Sequence, residues 1–135
     1  MEYLIGIGVA VLTCVFARLA GFDRDRVFYP TVVLVVAHYY ILFAVMGSSM
    51  AALAWECVIA AVFFALAVAG FKKNLWVAAV ALGGHGVFDL FHGLIIRNPG
   101  VPVWWPGFCM GFDVLAGGFL AVLLMRGYVR GQRPV

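Results

Sequence analysis

Five long apolar segments dominate this chain and limit its fold more than any other feature of the sequence. Polar or turn-forming residues separate them, which places the predicted helices at about 3–20, 30–46, 49–71, 75–96 and 106–125. Each has about 17 to 23 residues, enough to cross a hydrocarbon layer of about 30 Å. The sequence therefore predicts an all-α integral membrane protein, a five-transmembrane-helix bundle that forms a single transmembrane domain over residues 1–135.

The composition supports this fold class. Hydrophobic residues make up 66% of the chain and charged residues 11%, whereas a soluble domain usually carries about a quarter charged residues. Fusing the second and third segments across the Gly47-Ser48-Ser49 turn would give a helix too long for one crossing, so five spans are preferred to four. The three cysteines are scattered without CxxC spacing, which favours neither a disulfide framework nor a zinc ribbon.

Lysine and arginine residues predict the orientation. With five spans, eight of the nine fall on the side of the C-terminus and only Arg97 falls on the other. Because cytoplasmic loops are rich in Lys and Arg, we expect the N-terminus outside and the C-terminus in the cytoplasm, in a membrane such as the bacterial cytoplasmic (inner) membrane. Residues 126–135 are expected to form a flexible basic tail that lies against anionic lipid headgroups.

Ionisable residues inside the apolar segments are the main indication of function, because charged groups are costly in hydrocarbon. In GHGVFDLFHG, residues 84–93, the spacings of four and three place His85, Asp89 and His92 on one stripe of a helix. His38, Glu56 and Asp113 lie at a similar predicted depth, about 6 to 16 Å below the outer boundary, on three other helices. These six side chains are therefore expected to converge in one chamber.

Three carboxylates and three imidazoles without a lysine or arginine at that depth favour a bound divalent cation: zinc, iron or manganese. The predicted ligands are His38, His85, Asp89, His92 and Asp113. Glu56 and Asp113 are the candidates for catalytic proton transfer. A proton or substrate relay without metal and a structural polar network remain open alternatives.

The leading functional hypothesis is a metal-dependent enzyme, a hydrolase or an oxidoreductase, that acts on a lipid or another hydrophobic small molecule. The alternatives are a proton- or cation-coupled transporter or channel-like dimer, a haem-binding electron carrier that pairs His38 with His85 or His92, and a structural subunit. A homo-oligomer or a larger membrane complex is compatible with such a short chain. The predicted spans contain no lysine, which excludes a retinal Schiff base, and no nucleic-acid-binding motif is present.

Weaker features lie near the proposed chamber. Cys109 shares the helix face of Asp113, and Gly107 and Gly111 form a GxxxG pattern that permits close helix approach. Gly84, Gly86 and Gly93 are expected to thin the fourth helix, and Trp104 and Trp105 to belong to an aromatic belt or to a stiff lid over the site. Ser48 and Ser49 are interpreted as turn residues.

Overall fold

The computed structural model of the chain describes residues 1–129. Five helices follow one another: α1 (Glu2–Ala20), α2 (Phe28–Met46), α3 (Met50–Lys72), α4 (Leu75–Ile95) and α5 (Trp105–Met125). A single 3₁₀ turn, Phe22–Arg24, lies between α1 and α2, and residues 1–129 contain no β-strand. All five helices are long and apolar enough to cross a membrane, which confirms the prediction of five apolar membrane helices. The orientation of the termini stays a prediction.

Local sequence explains where the helices begin and end. Gly21 ends α1 in the left-handed conformation with φ 82°, a region that favours glycine. The Ser49 hydroxyl accepts a hydrogen bond of 3.2 Å from the backbone N–H of Ala52 and so caps α3, in agreement with its predicted turn role. Asn74 caps α4 in the same way through the N–H of Trp76, and Pro106 lies in the first turn of α5, where its missing N–H costs nothing.

Helix α5 packs against α4 on one side and against α1 on the other, and glycines allow both contacts. A Cβ added at Gly111 would lie 2.5 Å from the carbonyl oxygen of Tyr3, so the GxxxG pattern does mark a close approach, here between α1 and α5. A Cβ added at Gly86 would lie 3.1 Å from the Cβ of Asp113, so this glycine allows α4 and α5 to approach closely. Gly84 and Gly93, in contrast, face open space. The expectation that they allow a close helix contact is therefore wrong for these two glycines.

The bundle has two chemically different ends. The loop end carries the α2–α3 turn (47–49) and the α4–α5 loop (96–104), whereas the basic end carries the α1–α2 connection (21–27), the α3–α4 turn (73–74) and residues 126–129. Apolar side chains fill the half of the bundle next to the basic end, and this apolar plug includes Tyr29, Val33, Val36, Ala67, Leu75, Ala78, Leu82, Ala116, Leu120 and Leu124. Among residues 1–129, the buried carboxylates and histidines lie between the middle of the bundle and the loop end, apart from Asp23 at the basic end.

The first residues of the predicted basic tail are packed onto the bundle. Val129 is buried in the apolar plug, and the Arg18 guanidinium lies 4.6 Å from the centre of the Tyr128 ring. Arg18 also pairs with the buried Asp23 at 3.3 Å between Nη1 and Oδ2. Through these two contacts Arg18 links the end of α1 to the α1–α2 connection and to the residues that follow α5. The rest of the predicted flexible tail, residues 130–135, lies outside the described residues.

Candidate metal centre

Helix α4 carries the stripe of His85, Asp89 and His92 in the interior of the bundle. Its three predicted site residues are almost completely inaccessible to solvent, with 1% of His85, 1% of Asp89 and 2% of His92 exposed. Glu56 on α3 and Asp113 on α5 are equally buried. Five of the six predicted side chains therefore lie in the interior, although they form two layers rather than one chamber.

The deeper layer consists of His85, Asp89 and Asp113, which we call the deep centre. Nδ1 of His85 lies 2.7 Å from Oδ2 of Asp113 and 3.4 Å from Oδ2 of Asp89. The possible ligand atoms of these three residues all lie within 4.8 Å of one another, so the group could hold a metal ion. His85 lies near the middle of α4, about 15 Å from its loop end at 1.5 Å per residue.

Several polar atoms of this region have no hydrogen-bond partner among residues 1–129. They are both carboxylate oxygens of Asp89, Oδ1 of Asp113 and the hydroxyl of Tyr40. A buried polar group without a partner costs about 1–3 kcal/mol, and more if it is charged. The deep centre thus has a strong electrostatic need for a cation or for protons.

A divalent cation satisfies that need in charge as well as in ligands, since two carboxylates and one neutral imidazole leave no net charge around it. The 3.4 Å between His85 Nδ1 and Asp89 Oδ2 is close to the ligand separation of about 3.3 Å in a tetrahedral site with bonds near 2.0 Å. The 2.7 Å between His85 Nδ1 and Asp113 Oδ2 is instead a hydrogen-bond length. Metal binding would therefore replace this hydrogen bond, and Asp113 also offers its unpartnered Oδ1.

His92 belongs to a second layer nearer the loop end, although the sequence placed it with His85 and Asp89. Its Nε2 donates to Oε1 of Glu56 at 2.8 Å, and we call these two residues the outer pair. Nδ2 of Asn98 donates to the same Glu56 oxygen at 2.9 Å and to the backbone oxygen of Tyr40 at 3.0 Å. Glu56 is therefore fixed from both sides and does not belong to the deep centre.

Tyr40 separates the two layers. Its ring stacks on the His92 ring with centroids 4.0 Å apart and lies 6.1 Å from the His85 ring. Its buried hydroxyl lies near Asp89 and Glu56. The sequence interpretation missed both Tyr40 and Asn98. A tyrosine in the middle of an apolar helix was the available signal, because a buried phenol needs a hydrogen-bond partner.

His38 is not part of either layer. Its side chain is exposed on the outer face of α2, and Nδ1 donates to the carbonyl oxygen of Leu34 at 2.6 Å within the same helix. The expectation that His38 is a ligand alongside His85 is therefore not supported by the geometry. A haem held between His38 and His85 or His92 loses its basis for the same reason, because His38 does not face them.

Two cavities lead toward the two layers from different directions. A pocket of about 590 Å³ at the loop end, the loop pocket, is lined by His92, Asn98, Arg97, Ser49 and the prolines of the α4–α5 loop. An apolar groove of about 750 Å³ runs between α1 and α2 with α5 as its floor. Trp104 and Trp105 line this groove rather than the loop pocket, so they do not roof His92 as a lid would.

Cys109 lies on the same helix face as a residue of the deep centre. Its side chain is buried and lines the groove floor. Asp113 follows one turn further along α5, so the groove floor and the deep centre share this helix.

Comparison with known proteins adds no family assignment: no protein-family model, no curated protein and no solved structure matches the chain.

Proposed function

We propose that the protein is a membrane-embedded metalloenzyme in which His85, Asp89 and Asp113 hold zinc, iron or manganese and act on a lipid or another hydrophobic molecule. The observation that carries this proposal is a buried cluster of donor atoms: the possible ligand atoms of His85, Asp89 and Asp113 lie within 4.8 Å of one another, and neither oxygen of Asp89 has a hydrogen bond of good geometry. A bound cation would compensate this carboxylate and supply a Lewis acid for polarising a substrate oxygen or a water.

Protonation is the competing way to compensate the same charge. A protonated His85, an ionised Asp113 and a protonated Asp89 would also be neutral together. In that state the Asp89 O–H has the neighbouring Tyr40 hydroxyl as an acceptor. Two carboxylates and an imidazole within 4.8 Å of one another suit a divalent cation as ligands, and metal analysis distinguishes this state from the protonated one.

The apolar groove supports a hydrophobic substrate. Its walls are contributed by two helices that span the membrane, through residues such as Val9 and Val35, so a molecule can enter it directly from the hydrocarbon layer. The groove floor includes Cys109, which lies one helical turn from Asp113 on α5. Asp113, hydrogen-bonded to His85, is the carboxylate best placed for proton transfer at the centre, whereas Glu56 is held in the outer pair.

The apolar plug argues against the transporter alternative. A transported cation would need a polar path to both ends of the bundle, but buried apolar side chains such as Leu82 and Leu120 follow the deep centre toward the basic end. In the described part of the chain, buried carboxylates and histidines thus reach from the loop end to His85, and the next one is Asp23 beyond the plug. A polar site that is closed toward the basic end is better suited to holding a catalytic metal than to passing an ion across the membrane.

The distribution of Lys and Arg supports a proposal for the orientation of the protein and for the membrane in which it lies. We infer that the basic end faces the cytoplasm and the loop end the outside, in the cytoplasmic membrane of a bacterium, with membrane lipids as partners. The deep centre would then open, through the outer pair, toward the external face.

Metal analysis of the purified protein tests the proposal. We expect about one equivalent of zinc, iron or manganese in the wild type, loss of metal in Asp89→Asn, and full retention in His38→Gln, which changes a histidine outside the centre. Metal-free wild type, or an Asp89→Asn protein with wild-type metal content, would contradict the metal site.

The enzymatic part needs a separate measurement. The metal-loaded protein is incubated with a total lipid extract, and products are identified by mass spectrometry against the Asp89→Asn variant. We expect a lipid conversion that a chelator stops. A protein that binds metal stoichiometrically but changes no lipid would leave the metal centre intact and overturn the assignment as a lipid enzyme.

A further inference from the structure

We propose that the outer pair, Glu56 and His92, is a loading site through which a divalent metal ion passes from the loop pocket to the deep centre. This inference rests on the proposed function, since it requires that the deep centre binds a metal. It assigns a role to a buried histidine–carboxylate pair that the proposed chemistry does not use.

The outer pair has the donors that a transition-metal ion needs. A glutamate carboxylate and a histidine imidazole face each other with Nε2 and Oε1 2.8 Å apart. An ion bound at Nε2 takes the place of the proton between the two residues, and the imidazole stays neutral by carrying its proton on Nδ1 instead. The amide of Asn98 holds the carboxylate in place from the other side, so the pair is oriented before an ion arrives.

The loop pocket gives the outer pair access to solvent through His92 and through Asn98, the hydrogen-bond partner of Glu56. His92 lines the pocket, whereas His85, Asp89 and Asp113 do not. Arg97 also lines it, but Arg97 is exposed at the end of α4, where water and salt screen its charge. The buried carboxylate of Glu56 is screened much less and attracts a cation at short range.

The remaining routes to the deep centre are unfavourable for an ion. The groove between α1 and α2 presents almost only apolar side chains, and the apolar plug closes the side of the basic end. Along α4, in contrast, His92, Asp89 and His85 follow one another on the same stripe. Seven residues separate the two histidines, about 10 Å along the helix, with Asp89 between them.

Tyr40 is the barrier between the two layers. Its ring covers His92 and its hydroxyl lies near Asp89, so an ion moves from one layer to the other when this side chain changes its rotamer. A loading site speeds exchange in both directions without changing the final equilibrium, and this kinetic signature distinguishes it from a ligand of the final site.

The test is stopped-flow binding of Co²⁺ to the metal-free protein, with release into a chelator measured separately. Glu56→Gln removes the charge, while the Gln carbonyl still accepts from His92 and Asn98. We expect the association and dissociation rate constants to fall by a similar factor, about tenfold or more, with an unchanged equilibrium Kd. His92→Gln is a second variant with the same expected result, in case Glu56→Gln does not fold.

Glu2→Gln is the matched control, because Glu2 is the only other glutamate and lies at the loop end on the groove side. It should leave both rate constants unchanged, and equal slowing by Glu2→Gln would overturn the loading site. Wild-type rates in Glu56→Gln and His92→Gln would also overturn it, while the metal centre would stand. A weakened Kd with unchanged association would make Glu56 a ligand of the final site, which contradicts the proposal. Absence of Co²⁺ binding in the wild type would refute the metal centre and the loading site together.

Discussion

Replacing Asp89 by asparagine should have opposite effects on stability with and without metal. In the metal-free protein, Asp89 is a buried carboxylate without a hydrogen bond of good geometry, and its nearest partner is Nδ1 of His85 at 3.4 Å from Oδ2. Removing this charge relieves an unfavourable burial, and we expect the free energy of unfolding to rise by about 1–3 kcal/mol.

Bound metal should make the wild type more stable than Asp89→Asn. At a free metal concentration of 1,000 times Kd, binding stabilises the wild type by about 4.1 kcal/mol. If the variant binds 1,000-fold more weakly, it gains only about 0.4 kcal/mol under the same condition. The advantage of Asp89→Asn seen in chelator should therefore disappear or change sign when metal is added.

Unfolding by SDS titration in mixed micelles, followed by tryptophan fluorescence, measures these differences in chelator and in metal. Asp25→Asn is the control, because Asp25 is exposed in the α1–α2 connection and should change stability by less than about 0.5 kcal/mol in both conditions. A metal-free Asp89→Asn protein that is less stable than wild type would refute the reasoning. Asp89 would then be compensated in the resting protein by a proton or by donors that the structure does not show.

Three further changes probe the scaffold through the same unfolding measurement. Gly111→Ala places a Cβ against the Tyr3 carbonyl oxygen and should lower the free energy of unfolding by about 1–3 kcal/mol. Gly8→Ala is the control, because a Cβ there meets no atom within 4 Å and should not lower it. Equal effects of the two changes would disprove the close contact between α1 and α5. Asn98→Ala removes a donor to Glu56 and should cost about 1–3 kcal/mol, so a neutral result would show that this bond is not formed. Ser49→Ala should cost about 1 kcal/mol through loss of the α3 cap, and an unchanged midpoint would contradict that capping role.

The sequence predicts the helices well because hydrocarbon imposes a length and turn residues mark the ends. The predicted and observed helix ends differ by at most two residues, the largest difference being Phe28 instead of residue 30 at the start of α2. The stripe on α4 was also predictable, since spacings of three and four fix a common face whatever surrounds the helix. His85, Asp89 and Asp113 are indeed brought together.

The division into two layers was not predictable from the same pattern. Depth along a helix follows from counting residues, but rotation about the helix axis follows from packing. In α2 nearly every position is apolar, so the sequence does not tell which face is buried. The structure buries the face that carries Val33, Val36 and Tyr40, and this turns His38 outward.

The pairing of carboxylates with histidines depends on the same rotations. Glu56 and Asp113 have similar predicted depths, and only the packing of α3 and α5 decides that the first pairs with His92 and the second with His85. Asn98 lies in a proline-rich loop whose course is set by contacts with α2, including the close approach of Gly100 to Gly47. A sequence pattern carries no information on such a long-range contact.

The apolar plug makes the two ends of the protein unequal, because it closes the path from the deep centre to the basic end. If the proposed metal site is occupied, an ion held by His85 would exchange with the compartment that bathes the α4–α5 loop, and the apolar plug would insulate it from the compartment on the other side of the bilayer. A chelator trapped on a single side of a sealed vesicle would strip the protein in one orientation and spare it in the other. Occupancy would then report the metal supply of one compartment, whatever the cell stores in the other.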